Sequence, residues 1–333
     1  MLFWRGKVKK VLATINPRWV LSDQKKLTSK GLVQTINNCS DAKFIDSNVT
    51  SYDFKNNKVR TMTYENGRFI DRGFETPSAD FWIFYSYGDY ENIIKYANKI
   101  KLPTEADYQN ILLDFLEKQI LEGNVGEIIN SPEAERKTLK SYLAKLDPLK
   151  YNVIPSYVFG DFDEFYSKFE EKGVLVSKPN CGQEMQGVKL IDSTEKARGY
   201  KCADFTNLVF QDYCPGVEKR MWVAGGEFVE GRLIEDRNTP WKIHSKNSFV
   251  SYYNQDIVNK NCWDLDEFEK DVFYTNKLAE KTGLLIGSID YLGDKINEIN
   301  GAGTGFTSSD RFDTIKLDAR SHLYEYIKSV LSK

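Results

Sequence analysis

The stretch "IDYLGDKINEINGAGTGF", residues 289–306, sets Asp290, Glu298 and Asn300 within eleven residues. Gly293, Asp294 and Lys295 read as a turn between two short strands, and a glycine-rich tail follows. Alternation places Glu298 and Asn300 on one face of the second strand. A three-residue turn at 293–295 sets Asp290 directly opposite Glu298 on that face. A two-residue turn slips the pairing by one, and the shared face is lost. Carboxylates opposed across a ladder repel unless a cation lies between them. Oxygen donors without His or Cys suit Mg²⁺, which keeps several waters and bridges to phosphates. The alternative is a solvated hairpin with incidental charges.

The bulk numbers bound the rest. A chain of 333 residues is expected to form two or three packed units. Apolar residues make up 41% and charged residues 28%, enough for an ordinary core. A net charge of −2 gives no electrostatic reason to expect nucleic acid or an anionic membrane as partner. No apolar run reaches the ~20 residues of a bilayer helix. The opening "MLFWRGKVKKVLATIN" reads as a first strand and not a signal peptide. Five cysteines, at 39, 181, 202, 214 and 262, form no CxxC. They disfavour zinc and a disulfide framework and suit a reducing, cytoplasmic setting. Only two histidines occur, His244 and His322, which counts against a Ser-His-Asp triad or a His-rich metal site.

Along the chain, "KVLATIN" and "DFWIFYSYG" (80–88) read as strands. Between them lie turns at Ser47-Asn48, Asn56-Asn57 and Asn66-Gly67, and a helix follows over about 104–123 with Thr104 as its cap. Residues 1–125 therefore read as a small α/β unit. Ser131 and Pro132 open a helix carrying Leu139, Tyr142, Leu143 and Leu146 on one face. "VIPSYVFG" reads as a strand, "DFDEFYSKFEEKG" as a helix, and "VLVSKPN" and "VKLID" as strands flanking a loop. "LVFQDYCPG" and a hairpin turning at Gly225-Gly226 come next, then a helix over 264–283, the closing hairpin and a last helix at about 317–332. The order suggests two α+β lobes, 126–207 and 208–333, with a cleft between them.

Two further stretches carry candidate chemistry. In "VLVSKPNCGQEMQGVKL", Lys178 ends a strand before a loop with Gly182 and Gly187. Such a loop lets backbone N–H groups approach an anion beside a fixed cation. It is not a Walker loop, because no GK[ST] occurs and no helix follows. In "LVFQDYCPGVEKR", the segment Gln211-Asp212-Tyr213 can offer backbone groups to an adenine edge, Glu218 can take ribose hydroxyls, and Arg220 can pair with a phosphate or carboxylate. Read alone, each is more simply an ordinary hairpin with surface charges.

In order, Lys140, Lys178 with its glycine loop, Gln211-Asp212-Tyr213, Glu218, Arg220, Asp290, Glu298 and Asn300 give a joint pattern. It resembles the ATP-grasp superfamily, most closely the branch of glutathione synthetase and ribosomal-protein-S6 glutamate ligase. "DYLGDKINEIN" has that branch's D-x-x-G-D-x-x-x-E-I-N spacing. "NSP" with Arg136 and Lys140 is similar to its opening and first nucleotide lysine, "SKPNCGQEMQG" to its second lysine and glycine loop, and "QDYCPGVEKR" to its hinge, ribose acid and cleft arginine. The resemblance spans about 126–306. It implies an ATP-grasp fold behind a small α/β pre-ATP-grasp domain, and an ATP-dependent carboxylate–amine ligase acting through an acylphosphate. It further implies two Mg²⁺ ions (Mn²⁺ would also serve) on Asp290, Glu298 and Asn300. Lys140 and Lys178 would lie on the phosphates, with Arg220 and Arg232 or Arg237 on the substrate carboxylate. The partners implied are a small-molecule or peptide carboxylate and an amine, and a homodimer is a family-level expectation. The glycine loop departs from the family in carrying Gln183, Glu184 and Gln186, and "GAGTGF" replaces the tail of glutathione synthetase. Rival readings are a small-molecule kinase, a ligase tailoring a ribosomal peptide and a non-enzymatic nucleotide module.

Overall fold

The computed structural model describes residues 10–14, 47–65, 68–84, 105–180, 187–235, 249–253, 264–301, 325–327 and 329–330. Thr104, Asn66-Gly67, Gly182, Arg237 and, past Gly301, the rest of the "GAGTGF" tail lie outside them. The chain divides into two compact units, one of residues 1–101, 109–132 and 302–333, the other of 102–108 and 133–301.

The first unit holds a six-stranded sheet in the order β4-β3-β2-β1-β5-β6. Its strands are β1 (Val11–Thr14), β2 (Ser47–Asp53), β3 (Lys58–Glu65), β4 (Arg68–Glu75), β5 (Ala79–Ile83) and β6 (Val125–Ile129). β2, β1, β5 and β6 run parallel, and β2-β3-β4 form an antiparallel meander. Ser47-Asn48 therefore opens a strand and is not the expected turn, whereas Asn57 does turn the next connection, at φ 55°. Trp82, Ile83 and Phe84 are buried and Phe81 is half-buried, so most of the described part of the aromatic run is core. The helix α1 (Glu105–Leu121) buries Leu112, Leu113 and Leu116.

In the second unit, the helix expected after Ser131 is broken into α2 (Pro132–Arg136) and α3 (Lys140–Leu143), with α4 (Pro148–Tyr151) after them. Thr138 Oγ1 donates to the Glu135 carbonyl at 2.8 Å, and Leu139 turns extended at ψ 136°. The amides of Lys140 and Ser141 then bond Asn180 O and Oδ1 at 3.4 and 2.9 Å. Asn180 thus takes donors that a continuous helix would satisfy internally.

A four-stranded sheet follows, ordered β7-β10-β8-β9. It comprises β7 (Ser156–Tyr157), β8 (Leu175–Pro179), β9 (Lys189–Ile191) and β10 (Leu208–Asp212). "VIPSYVFG" contributes only the two residues of β7 to it. The helix α5 (Phe162–Lys172), capped by Asp161 and closed by Gly173, packs Phe165 and Phe169 against Phe205 and Phe210.

A five-stranded antiparallel sheet completes the unit, ordered β13-β12-β11-β14-β15. Its strands are β11 (Glu218–Ala224), β12 (Glu227–Glu235), β13 (Phe249–Tyr253), β14 (Ile286–Leu292) and β15 (Lys295–Asn300). Met221, Val223, Ile289, Tyr291, Ile296 and Ile299 form one face and pack on Phe268, Leu278 and Ala279 of helix α6 (Leu265–Thr282). Among the described residues no helix is long and apolar enough to cross a membrane.

Candidate nucleotide and metal site

The other face of the five-stranded sheet is polar, and two β-bulges build it. In the closing hairpin Leu292 pairs with Lys295, leaving a two-residue turn of Gly293 and Asp294 rather than the expected three. Gly293 has φ 58°, which suits the first central position of a II′ turn. A flush ladder from that turn would set Glu298 opposite Ile289, on the helix-packed face. The register instead shifts after Tyr291–Ile296, so that Asp290 pairs with Glu298 and Ser288 with Asn300. The extra residue is Asn297. The expected pairing of Asp290 with Glu298 is therefore observed, but a bulge produces it and not a longer turn.

The neighbouring hairpin repeats the device. Its turn is Gly225-Gly226, at φ 71° and 86°, with Ala224 paired to Glu227. A shift between Trp222 and Val223 brings Arg220 opposite Arg232. Without it Arg232 would pair with Lys219 on the helix side. Arg220 is also paired with Asp290 across β11 and β14. One row therefore crosses four strands as Arg232, Arg220, Asp290, Glu298. The parallel row is Glu230, Trp222, Ser288, Asn300.

The row is tightly bonded. Arg220 grips Asp290 with both edges of its fork, Nε to Oδ1 at 2.8 Å and a terminal nitrogen to Oδ2 at 2.5 Å. Asn300 Nδ2 donates to Asp290 Oδ2 at 3.0 Å and to Glu298 Oε1 at 3.4 Å. Lys140 Nζ lies 3.9 Å from Glu298 Oε2. Guanidinium, amide and ammonium thus relieve the repulsion of the opposed carboxylates. Asp290 is fully buried, while the side chain of Glu298 is 16% exposed.

Arg232 lies with its guanidinium carbon 5.3 Å from the centre of the Trp222 ring. Burial, helped by the charge of Arg220, pulls its pKa down to about 10. Glu218, two positions before Arg220, is buried with neither carboxylate oxygen hydrogen-bonded among the described residues. Burial lifts its pKa to about 8 against the pull of Arg220, with Asp290 adding to the rise.

The four-stranded sheet meets this face at Asn297. Lys178, on β8, is buried and donates to Asn297 Oδ1 at 2.5 Å. Burial lowers its pKa to about 8, partly opposed by Glu298 and reinforced by Lys140. Gln211, on β10, donates from Nε2 to Ser156 Oγ at 2.9 Å and to the Asn297 carbonyl at 3.1 Å. Asp212 accepts from Tyr157 OH at 3.0 Å and Lys172 Nζ at 3.2 Å, and Tyr213 is exposed. Gly187 closes the described end of the glycine loop at φ 80°. A Cβ there would stand 2.7 Å from Pro179 Cγ, so the position requires glycine.

Lys140, Lys178, Glu218, Arg220, Arg232, Asp290, Glu298 and Asn300 thus belong to one connected region. Gln211 joins it through its side chain. Asn297 was missed by sequence reasoning. Its signal was available: Gly-Asp favours a two-residue turn, and only an extra residue then keeps Glu298 opposite Asp290. The break before Lys140 carried no signal, because the amides there are taken by Asn180, just past the end of β8.

No family model and no curated protein sequence matches the chain. Solved structures do match. D-alanyl-alanine synthetase A from Vibrio cholerae O1 biovar eltor superposes with TM-score 0.60 at 11% identity, over 98% of this chain and 100% of that one. The ATP-grasp ligase PsnB, complexed with precursor peptide PsnA2 and AMPPNP, gives 0.57 at 12% identity, over 97% and 99%. The macrocyclase MdnC from Microcystis aeruginosa MRC, bound with precursor peptide MdnA, gives 0.56 at 13% identity, over 96% and 99%. At these identities the likeness is one of fold, and it spans nearly the whole chain. With its two sheets meeting at Lys178 and Asn297, and its hairpin of paired carboxylates, the chain has the ATP-grasp fold.

Proposed function

We propose that the protein is an ATP-dependent carboxylate–amine ligase that acts through an acylphosphate and releases ADP and phosphate. The carrying observation is the row Arg232–Arg220–Asp290–Glu298, flanked by Lys140 and Lys178.

The donor set fits Mg²⁺. Among the described residues no group of three or more His, Cys, Asp or Glu side chains gathers. Two carboxylates and one carboxamide do gather, and that oxygen set is sparse enough to leave waters on the ion. Asp290, Glu298 and Asn300 would hold one or two Mg²⁺, or Mn²⁺. Asn300 would present Oδ1 once its amide turns, since its Nδ2 now faces both carboxylates. A bound ion would supply Lewis-acid neutralisation of phosphate charge.

The chain's own residues do the rest. Lys140 and Lys178 bind phosphate oxygens, and the buried setting of Lys178 strengthens its field there. Glu218 takes the ribose hydroxyls, which would satisfy its two unpartnered oxygens. The hinge at Gln211-Asp212-Tyr213 offers backbone to the adenine edge. Arg220 holds Asp290 and, with Arg232, draws the substrate carboxylate toward the γ-phosphate. Carboxylate oxygen attacks the γ-phosphorus and ADP leaves. The amine then attacks the acyl carbon and expels phosphate. No protein nucleophile is required. The glycine loop, including Gly182 and Gly187, would shield the acylphosphate from water.

PsnB and MdnC are seen with precursor peptides, so one substrate here is a peptide in a second form of the same reading. The assignment to the glutathione synthetase and S6 glutamate ligase branch belongs to the proposal. The test is product analysis with candidate acid–amine and peptide pairs. ADP and phosphate appearing only with both substrates is expected. AMP and pyrophosphate would contradict the acylphosphate, and phosphorylated acid accumulating with no amine would assign a kinase.

A further inference from the structure

The bulge residue Asn297 has a group that nothing among the described residues uses. The residue is 1% exposed. Its Oδ1 must face Lys178, because an ammonium can only donate, so the hydrogen bond at 2.5 Å fixes which way the carboxamide points. Nδ2 is then left buried with no acceptor among the described residues. Buried donors rarely stay unsatisfied in a native protein, and an orphan one marks a place where a ligand completes the bonding.

The position of Asn297 narrows the ligand atom. Its carbonyl is bonded by Gln211 of the hinge strand, its side chain by Lys178, and the next residue is Glu298. Asn297 therefore bridges the hinge and the phosphate-binding lysine. In an adenine nucleotide with its Watson–Crick edge at the hinge and its phosphates at Lys178, the ring acceptor between those two ends is N7.

We propose that Asn297 reads the base, its Nδ2 donating to adenine N7, while its Oδ1 holds Lys178 in place. This rests on the nucleotide-binding reading above. The bulge then has two effects: it turns Glu298 onto the polar face and it presents a carboxamide to the purine.

The test is calorimetric binding of Mg·ADP and of Mg·7-deaza-ADP, in which C–H replaces N7. The wild-type protein is expected to bind ADP about tenfold more tightly, the worth of one buried hydrogen bond. Asn297→Asp keeps an oxygen toward Lys178 and removes the donor. Asn297→Leu removes both and adds no charge. Asn297→Leu should bind the two nucleotides equally, and Asn297→Asp, which turns a carboxylate oxygen toward the N7 lone pair, should bind 7-deaza-ADP at least as tightly as ADP. Any repulsion between the new carboxylate and the phosphates affects both ligands alike and leaves their ratio unchanged. A tenfold preference that persists in either folded variant overturns the proposal, as does equal binding by the wild-type protein. Wild-type protein that binds neither nucleotide overturns the nucleotide reading itself, and the role of Asn297 with it.

Discussion

The two faces of the five-stranded sheet spend charge in opposite ways. On the face against α6, Lys219 is buried and donates to Asp271 Oδ2 at 2.5 Å and Glu267 Oε1 at 2.6 Å. Cation and carboxylates are paired there within the chain, with Tyr291 OH donating to the Asp271 carbonyl at 2.8 Å beside them. On the polar face, the Glu218 carboxylate and the Asn297 Nδ2 are buried without hydrogen-bond partners among the described residues, and two arginines lie opposite each other in one row. Closed charge fixes a structure, whereas open charge waits for a ligand. The alternation of β11 shows it residue by residue: Glu218, Arg220 and Trp222 face one way, and Lys219, Met221 and Val223 the other.

The sharpest way to break this comparison is one substitution on each face. Glu298→Gln should cut turnover by about a thousandfold, with a melting temperature within roughly 2 °C of wild type. Lys219→Met should do the reverse. It strands the buried Asp271 and should cost about 3–5 kcal/mol of stability by chemical denaturation, with activity per folded molecule retained. If Lys219→Met lost activity without losing stability, the helix-side group would belong to the site.

Glu218 gives a smaller effect with a defined sign. Burial raises its folded pKa to about 8 from an ordinary 4.5. Between those values the folded form holds a proton that the unfolded form has released, so ligand-free stability falls as pH rises through that window. Glu218→Gln does not titrate. Its melting temperature should therefore gain on wild type between pH 5 and 8, by at least about 3 °C at the upper end, and the gap should shrink toward pH 5. A gap independent of pH would remove the buried-acid account. Adding ADP to wild type should narrow the gap, because the ribose hydroxyls give the carboxylate its partners.

Much of this was legible in the sequence. Strand alternation and glycine turns placed β11, β12, β14 and β15, and residue order placed the lysines and carboxylates. The chemistry of Asp290 opposite Glu298 followed from spacing, yet the means did not. A three-residue turn and a two-residue turn with a bulge give the same pairing; Gly-Asp leans toward the second, and tertiary bonds hold it. Here Lys178 and Gln211 anchor Asn297 from another sheet. The break at 137–139 was hidden for the same reason, since periodicity alone runs straight through it and Asn180 interrupts it from β8's end. The second bulge sets Arg232 in the row with Arg220, while Arg237, its alternative in the sequence, lies outside the described residues.

The central claim is that the bulged hairpin holds a divalent cation that carries the nucleotide's phosphates. Calorimetric titration of ADP, with Mg²⁺ and with a chelator, measures it most directly. The account predicts binding at least about a hundredfold tighter with Mg²⁺ in wild type, and loss of that dependence in Glu298→Gln. ADP binding of equal strength with and without Mg²⁺, or a Mg²⁺ dependence undiminished in Glu298→Gln, would contradict it.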